Sequence, residues 1–343
     1  MASVLTYDAA ASEVRRPGQP LSGTAPDMWE LVRLATLAAS SHNTQPWKFR
    51  IGREAIEILP DFARRCPVVD PDDAHLFKSL GCAAENLVRA AATQGCAAEV
   101  NFDATAESVL VHLRPSSTAR QTDLSRVITA RQCTKTPYDG SPLANDQLRI
   151  LELAGQGSSA RTMFLTERKQ IEAVVEYVNR GNHTQLADPA FRRELISWIR
   201  FNPGEALRRR DGLSGRTGGQ PSIPRWLAKF IIPFILTPKT QADTDAANIR
   251  SSSTVAIFVA TGDDKPSWVE IGRAYERVAL QATALELRNA FINQPIEVRP
   301  LRPQFESWLG LKGERAQLIV RIGRAPLAPY SLRRPVDEVI LNP

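Results

Sequence analysis

The sequence predicts an α+β protein built from two similar halves, and three observations support that reading. At 343 residues the chain is long for one ordinary domain and comfortable for two. Its apolar residues switch between strand-like and helical spacing in a mixed order with no βαβ fingerprint, a pattern that alone fits α/β or α+β architecture. The third observation is an internal repeat. Residues 80–87, Leu-Gly-Cys-Ala-Ala-Glu-Asn-Leu, match residues 271–278, Ile-Gly-Arg-Ala-Tyr-Glu-Arg-Val, with Gly, Ala and Glu identical and apolar residues at both ends. Each copy lies in the longest helical pattern of its half, where small residues let two helices approach closely.

Residues 1–22 are expected as a disordered arm, because Pro and Gly are frequent and no periodicity is sustained. Residues 28–39 then carry Met28, Leu31, Val32 and Ala35 at helical spacing. Two strands, 47–51 and 55–59, read as a hairpin turning at Gly52. A long helix from Asp72 places Leu76, Leu80, Ala84, Leu87 and Ala91 on one face and stops at Gly95. Strands at 98–102 and 108–113 complete a first half, residues 23–118. Helical pattern resumes at Thr122, and Ser141-Pro142, a cap followed by a first-turn proline, predicts a helix to Ala154. A strand at 162–165 and helices near 167–180 and 188–200 follow. Residues 201–250 read as irregular, an insertion rich in Gly, Pro and Arg. A buried strand at 254–261, a helix at 267–289 and a last strand at 316–322 complete the second half, residues 119–343.

Composition narrows the function. Apolar residues at 43% and charged residues at 23% match a soluble globular chain, and no run of eighteen apolar residues predicts a membrane span. Residues 226–236 are strongly apolar, but Lys229 and Pro233 interrupt them. The Arg15-Arg16 pair lacks the apolar region an export signal needs, so the expected location is cytoplasmic. Four cysteines without a CxxC spacing and four histidines without HExxH point away from a metal site. The net charge of +6 favours anionic ligands, yet Arg208-Arg209-Arg210 has no interleaved aromatics and reads as a solvated loop rather than a nucleic-acid surface.

Residues 40–47, Ser-Ser-His-Asn-Thr-Gln-Pro-Trp, lie between a helix and a strand. Asn and Gln each offer a donor and an acceptor, which suits the edge of a flavin ring and equally that of a nucleobase. The run Ser-Ser-x-Asn-x-Gln-Pro-Trp resembles the flavin-contacting loop of the nitroreductase superfamily, which reaches across a homodimer to a flavin held mainly by the other subunit. The helix carrying Gly-x-Ala-x-Glu resembles that family's dimerisation helix and occurs twice here. Residues 131–135, Arg-Gln-Cys-Thr-Lys, are similar to the family's Arg-x-Ser-x-Arg element, with Cys133 for the hydroxyl residue and Lys135 for arginine. If extended, the segment points residues 131, 133 and 135 to one side, a clamp for a phosphate dianion. Residues 293–297, Asn-Gln-Pro-Ile-Glu, resemble the loop beneath the reactive flavin N5, where the contact is often a backbone N–H. Arg333 and Arg334 lie in a segment similar to the family's basic C-terminal one.

Each half thus keeps motifs that the other lacks, as expected of a fused homodimer with one surviving site. The runs at 67–72 and 321–326 resemble the two-domain Acg-type branch. The resemblance implies a nitroreductase-like fold and one FMN per chain, bound by Ser40, Ser41, Asn43, Gln45, Arg131, Cys133, Lys135, Pro295, Ile296, Glu297, Arg333 and Arg334. It implies hydride transfer from NAD(P)H through flavin N5 to a nitro-compound or quinone, without a side-chain catalyst. The alternative is an FMN-storing protein whose lid, at about 200–250, packs Trp226, Phe230, Ile231 and Phe234 on the flavin. A basic nucleic-acid or membrane-surface module is the third reading.

Overall fold

The protein is described by a computed structural model covering residues 6–18 and 25–341. Helices α1 (Tyr7–Val14) and α2 (Met28–Ala35) precede strands β1 (Trp47–Ile51) and β2 (Ala55–Pro60). Helix α3 (Ala74–Thr93) then leads into β3 (Cys96–Asp103) and β4 (Ser108–Pro115). These four strands form one antiparallel sheet in the order β1-β2-β4-β3.

The rest of the chain repeats that plan around an insertion. A short helix α4 (Asp123–Arg126), helix α5 (Asn145–Ala154) and strand β5 (Ala160–Leu165) come first. The insertion contains α6 (Arg168–Ala187), α7 (Pro189–Trp198), β6 (Ile199–Arg200), α8 (Pro203–Arg209), β7 (Leu213–Ser214), α9 (Arg225–Ile235) and α10 (Pro238–Arg250). Strand β8 (Thr254–Ala260), helix α11 (Lys265–Ala284) and strand β9 (Arg288–Phe291) follow. Two further short helices, α12 (Gln294–Glu297) and α13 (Arg302–Trp308), precede strand β10 (Arg315–Gly323) and a final helix α14 (Val336–Val339). The second sheet has the order β5-β8-β10-β9, again antiparallel. Both halves therefore run strand, strand, twenty-residue helix, strand, strand, with the same neighbours.

Helices α3 and α11 pack together at the centre. Leu80, Leu87, Ile271, Tyr275 and Val278 belong to one core that spans both halves. Strand β8 shows the period of two clearly: Ala256, Phe258 and Ala260 face that shared core. Val255, Ile257 and Val259 face a second core with Val174, Val178 and Ile249 of α6 and α10. Local chemistry sets the helix starts. The Asp70 carboxylate accepts from His75 and Leu76 N–H groups, both at 3.0 Å, and Asp264 caps α11 through Ser267 N–H.

Several boundaries differ from expectation. Helix α5 starts at Asn145 rather than at Ser141-Pro142, with the Gln147 side chain reaching back to Ala144 N–H. Helix α11 stops at Ala284, because residues 288–291 pair with β10. The stretch 201–250 is largely helical; its α10 hides only Ala242, Ala246 and Ile249, too small an apolar face to register as periodicity. Within the expected disordered arm, residues 6–18 contain α1, which buries Tyr7, Ala10, Ala11 and Val14; residues 1–5 and 19–22 lie outside the described residues. Trp226, Phe230 and Phe234 of the expected lid are 67%, 66% and 81% exposed, and so point to solvent rather than onto a site. Among the described residues, no helix is long and apolar enough to cross a membrane.

Candidate functional site

The loop joining α2 to β1 is bent against its own preferences. His42, Asn43 and Gln45 have φ of 48°, 53° and 54°, and the left-handed region costs a non-glycine residue about 1 kcal/mol or more. The surroundings enforce this shape. Gln45 N–H donates to Ser40 Oγ at 3.1 Å, and Ser41 N–H donates to Ser79 Oγ of α3 at 3.4 Å. From the second half, Arg333 Nη1 donates to Asn43 Oδ1 at 3.0 Å, and Arg334 N–H donates to Gln45 Oε1 at 2.8 Å. Asn43 Nδ2 in turn donates to the carbonyls of Gly212 and Leu332, and Gln45 Nε2 to that of Arg210. Gln45 is fully buried with its amide satisfied, so it ties the halves together rather than lining a ligand surface as expected.

The expected two-cation clamp is divided. Arg131 is buried and turned inward, with Nε 2.8 Å from Glu276 Oε1 and Nη2 donating to Leu37 O at 2.6 Å. A fully buried carboxylate requires a cation, and Glu276 takes this one. Burial opposes the Arg131 charge, but Glu276 prevails and raises its pKa above the usual guanidinium value. Cys133 packs beside them, its thiol 3.6 Å from Tyr275 Oη. Lys135, by contrast, reaches solvent and makes no hydrogen bond or ion pair among the described residues. It is hemmed in by protein nonetheless, and burial lowers its pKa. Burial likewise pulls His42 down to about 4, with the Lys135 charge adding to the effect. The first-half loop and the second-half cation therefore lie close enough for their charges to interact.

Arg333 and Arg334 are both structural. All five Arg333 donors are used: on Thr36, Leu37 and Ala38 carbonyls at the end of α2, on Leu332 O and on Asn43. Burial, with Arg131 nearby, lowers the Arg333 pKa to about 10. Arg334 contacts Gln45 O, Glu338 O and the Asp61 carboxylate. Arg15 joins the buried cluster, donating from Nη1 to the carbonyls of Thr129 and Arg131, while its Nε has no partner among the described residues. Two buried guanidiniums, Arg131 and Arg333, thus act on the Glu276 carboxylate, and Arg15 lies near both of them.

Pro295 and Ile296 are buried in α12. The N–H groups of Ile296 and Glu297 both donate to Asn293 O, at 2.9 and 3.0 Å, so the helical turn consumes the backbone donors expected to face a ligand. The Glu297 side chain, largely buried, carries the titratable chemistry of this segment. Burial pushes its pKa up to about 7, His75 Nε2 lies 3.4 Å from its Oε1, and Gln185 Nε2 donates to its Oε2 at 2.8 Å.

Sequence reasoning missed Arg15, His42, His75 and Glu276 as parts of this neighbourhood. Glu276 had a signal, as the repeated glutamate, and His42 sat inside the recognised loop. Arg15 and His75 had none, since only the folded chain brings them there.

No protein-family profile matches the chain. Two Mycobacterium tuberculosis proteins do. One named "Putative NAD(P)H nitroreductase Rv3131" is 25% identical over 324 residues, 90% of each chain. Another named "Putative NAD(P)H nitroreductase acg" is 22% identical over 324 residues, 90% of this chain and 93% of that one. Among solved structures, the FMN-dependent nitroreductase NfnB of Mycobacterium smegmatis, in complex with NADPH, overlays with a TM-score of 0.42. That overlay has 12% identity and covers 63% of this chain and 96% of the other. A nitroreductase with bound FMN from Bacteroides fragilis gives 0.39 at 15% identity, over 62% and 95%. Superpositions this loose add nothing to the assignment, which rests on the sequence relatives and the motifs they accompany. Over 90% of its length the chain is similar in sequence to the two Mycobacterium tuberculosis proteins named as putative NAD(P)H nitroreductases.

Proposed function

We propose that the protein is an FMN-dependent oxidoreductase of nitroreductase type, holding one flavin where its two halves meet. In this reading it passes electrons from a reduced nicotinamide to a small electron-poor acceptor. The observation that carries it is proximity: the strained loop 40–45 of the first half lies near enough to Lys135 of the second for its charge to act on His42. The matching sheets and paired long helices support a fused dimer with one composite site.

The residues fit such a cofactor. Lys135 is a cation without a partner among the described residues, and the buried arginines outnumber the carboxylate among them, which favours a phosphate. The buried Arg15 Nε and Asn289 Nδ2 lack partners, donors that an oxygen-rich ligand satisfies. Bound flavin supplies the hydride chemistry. The chain's own part is to bind and orient it. Ser40, Ser41 and Asn43 would hold the loop beside it, Lys135 would pair with its phosphate, and Arg131, Arg333 and Arg15 would provide the positive field. Pro295 and Ile296 form an apolar wall. Glu297, whose pKa burial raises to about 7, lies 3.4 Å from His75 and is poised to hold or release a proton near neutrality.

Absorbance of the purified protein tests binding: one flavin per chain is expected, and a colourless protein that takes up no added FMN overturns the reading. Anaerobic NADPH then tests turnover. Bleaching supports the oxidoreductase; persistent yellow assigns the protein to flavin storage.

A further inference from the structure

A cavity of about 500 Å³ lies on the other side of the 40–45 loop, between the α7–α9 insertion and the turn after β2. Its wall carries five arginines, Arg64, Arg200, Arg208, Arg209 and Arg225, against only Asp211 and Glu205. The floor is undercompensated. Arg200 donates to Asp211 Oδ1 from both Nε and Nη2, at 2.9 and 2.6 Å, and Arg64 pairs with the same carboxylate through Oδ2. One buried anion therefore serves two guanidiniums, and Glu205 is taken by Arg225. Arg208 and Arg209, at the end of α8, make no hydrogen bond or ion pair among the described residues and are open to solvent. The half-buried Trp198 ring completes the wall, with the Arg64 and Arg200 guanidiniums 5.8 and 5.7 Å from its centre.

An excess of three positive charges around a concave space is a field that focuses anions. Favourable contact with the α8 carbonyl end explains why Arg208 and Arg209 are tolerated there. It does not explain a buried Arg200 and a partly buried Arg64 sharing one carboxylate beneath them. The space exceeds the few water volumes that one phosphate displaces and falls in the range of small-molecule sites. Planar arginine forks match phosphate oxygens, and an indole face accepts a flat ring.

We propose that this cavity binds a small molecule carrying adjacent phosphates, gripped by Arg208 and Arg209 above the Arg64–Arg200 floor. Free diphosphate and a nucleoside diphosphate share that chemistry, and the Trp198 wall is what distinguishes them. The site does not depend on the flavin reading, since none of its side chains is among those assigned to the flavin.

Calorimetric titration of the purified full chain with ADP, sodium pyrophosphate and adenosine tests it. ADP and pyrophosphate are expected to bind, more weakly as salt rises, and adenosine not to bind. The double variant Arg208→Ala/Arg209→Ala is expected to lose about tenfold or more in affinity, the scale of a lost charge-assisted contact, with any flavin absorbance unchanged. Single Arg209→Gln, which keeps the stem, is expected to fall between wild type and the double variant should the latter melt early. Tighter binding of ADP than of pyrophosphate assigns a nucleotide; equal binding assigns the bare diphosphate. The proposal is overturned by absence of binding at millimolar ligand, by undiminished affinity in the variants, or by release of flavin on adding ADP.

Discussion

Gly81 of α3 and Gly272 of α11 stand in reciprocal contact across one helix crossing. A methyl group on Gly81 would overlap the carbonyl of Val269, three residues before Gly272, and one on Gly272 would overlap the carbonyl of Lys78, three residues before Gly81. Such reciprocity is the mark of an isologous contact, here within one chain. Gly81→Ala and Gly272→Ala are each expected to cost about 1–3 kcal/mol in urea unfolding, as overpacking does. The double variant should cost less than their sum, because the first methyl already separates the helices. Strict additivity would show that the two glycines do not share a contact.

The division of Arg131 from Lys135 yields a second prediction. Arg131→Ala leaves Glu276 buried without its cation, and a loss of about 3–5 kcal/mol is expected. Lys135→Ala removes a side chain with no partner, so the melting curve should hardly move while bound flavin is lost. Retention of flavin by the folded Lys135→Ala protein would remove that residue from the site.

Glu297 makes stability depend on pH. Its pKa in the folded chain is raised from 4.5 to about 7, so the native state holds the proton more tightly than the unfolded one. The stabilisation is complete below pH 4.5 and is lost as pH rises through 7. Glu297→Gln, neutral throughout, is expected to lose less stability than wild type over that interval, by up to about 3 kcal/mol. Parallel pH profiles of the two proteins would show that the carboxyl titrates normally.

Arg333 holds the end of α2 by donating to three of its carbonyls. Arg333→Ala strands those acceptors in a buried place, and a loss of about 3 kcal/mol or more is expected. Hydrogen exchange should rise first in residues 31–39. Arg333→Lys, without the planar fork, should recover only part. Full recovery with lysine would mean that charge alone suffices.

Much of the fold was legible because it is written locally. Strands β1 and β2, the two long helices and β8 follow from apolar spacing, and their residues keep those neighbours in any compact arrangement. Helices α8, α9 and α10 were not, since alanine-based or exposed faces leave no periodic signal. Helix α1 was missed for a related reason: its small apolar face only becomes a core against Ala206 and Leu332, far away in sequence.

The candidate site divides along the same line. Sequence alone singled out the segments, because the loop 40–45, the entry at 131–135, the turn at 293–297 and the basic end at 331–335 are short motifs whose residue types persist whatever surrounds them. Only the tertiary structure decided what each side chain does. Gln45, Arg131 and Arg333 became internal struts because buried carbonyls and the Glu276 carboxylate must find donors once water is excluded. Lys135 kept its charge unpaired because no acceptor among the described residues was folded against it. Charge type is a property of the residue, whereas availability of that charge is a property of its neighbours.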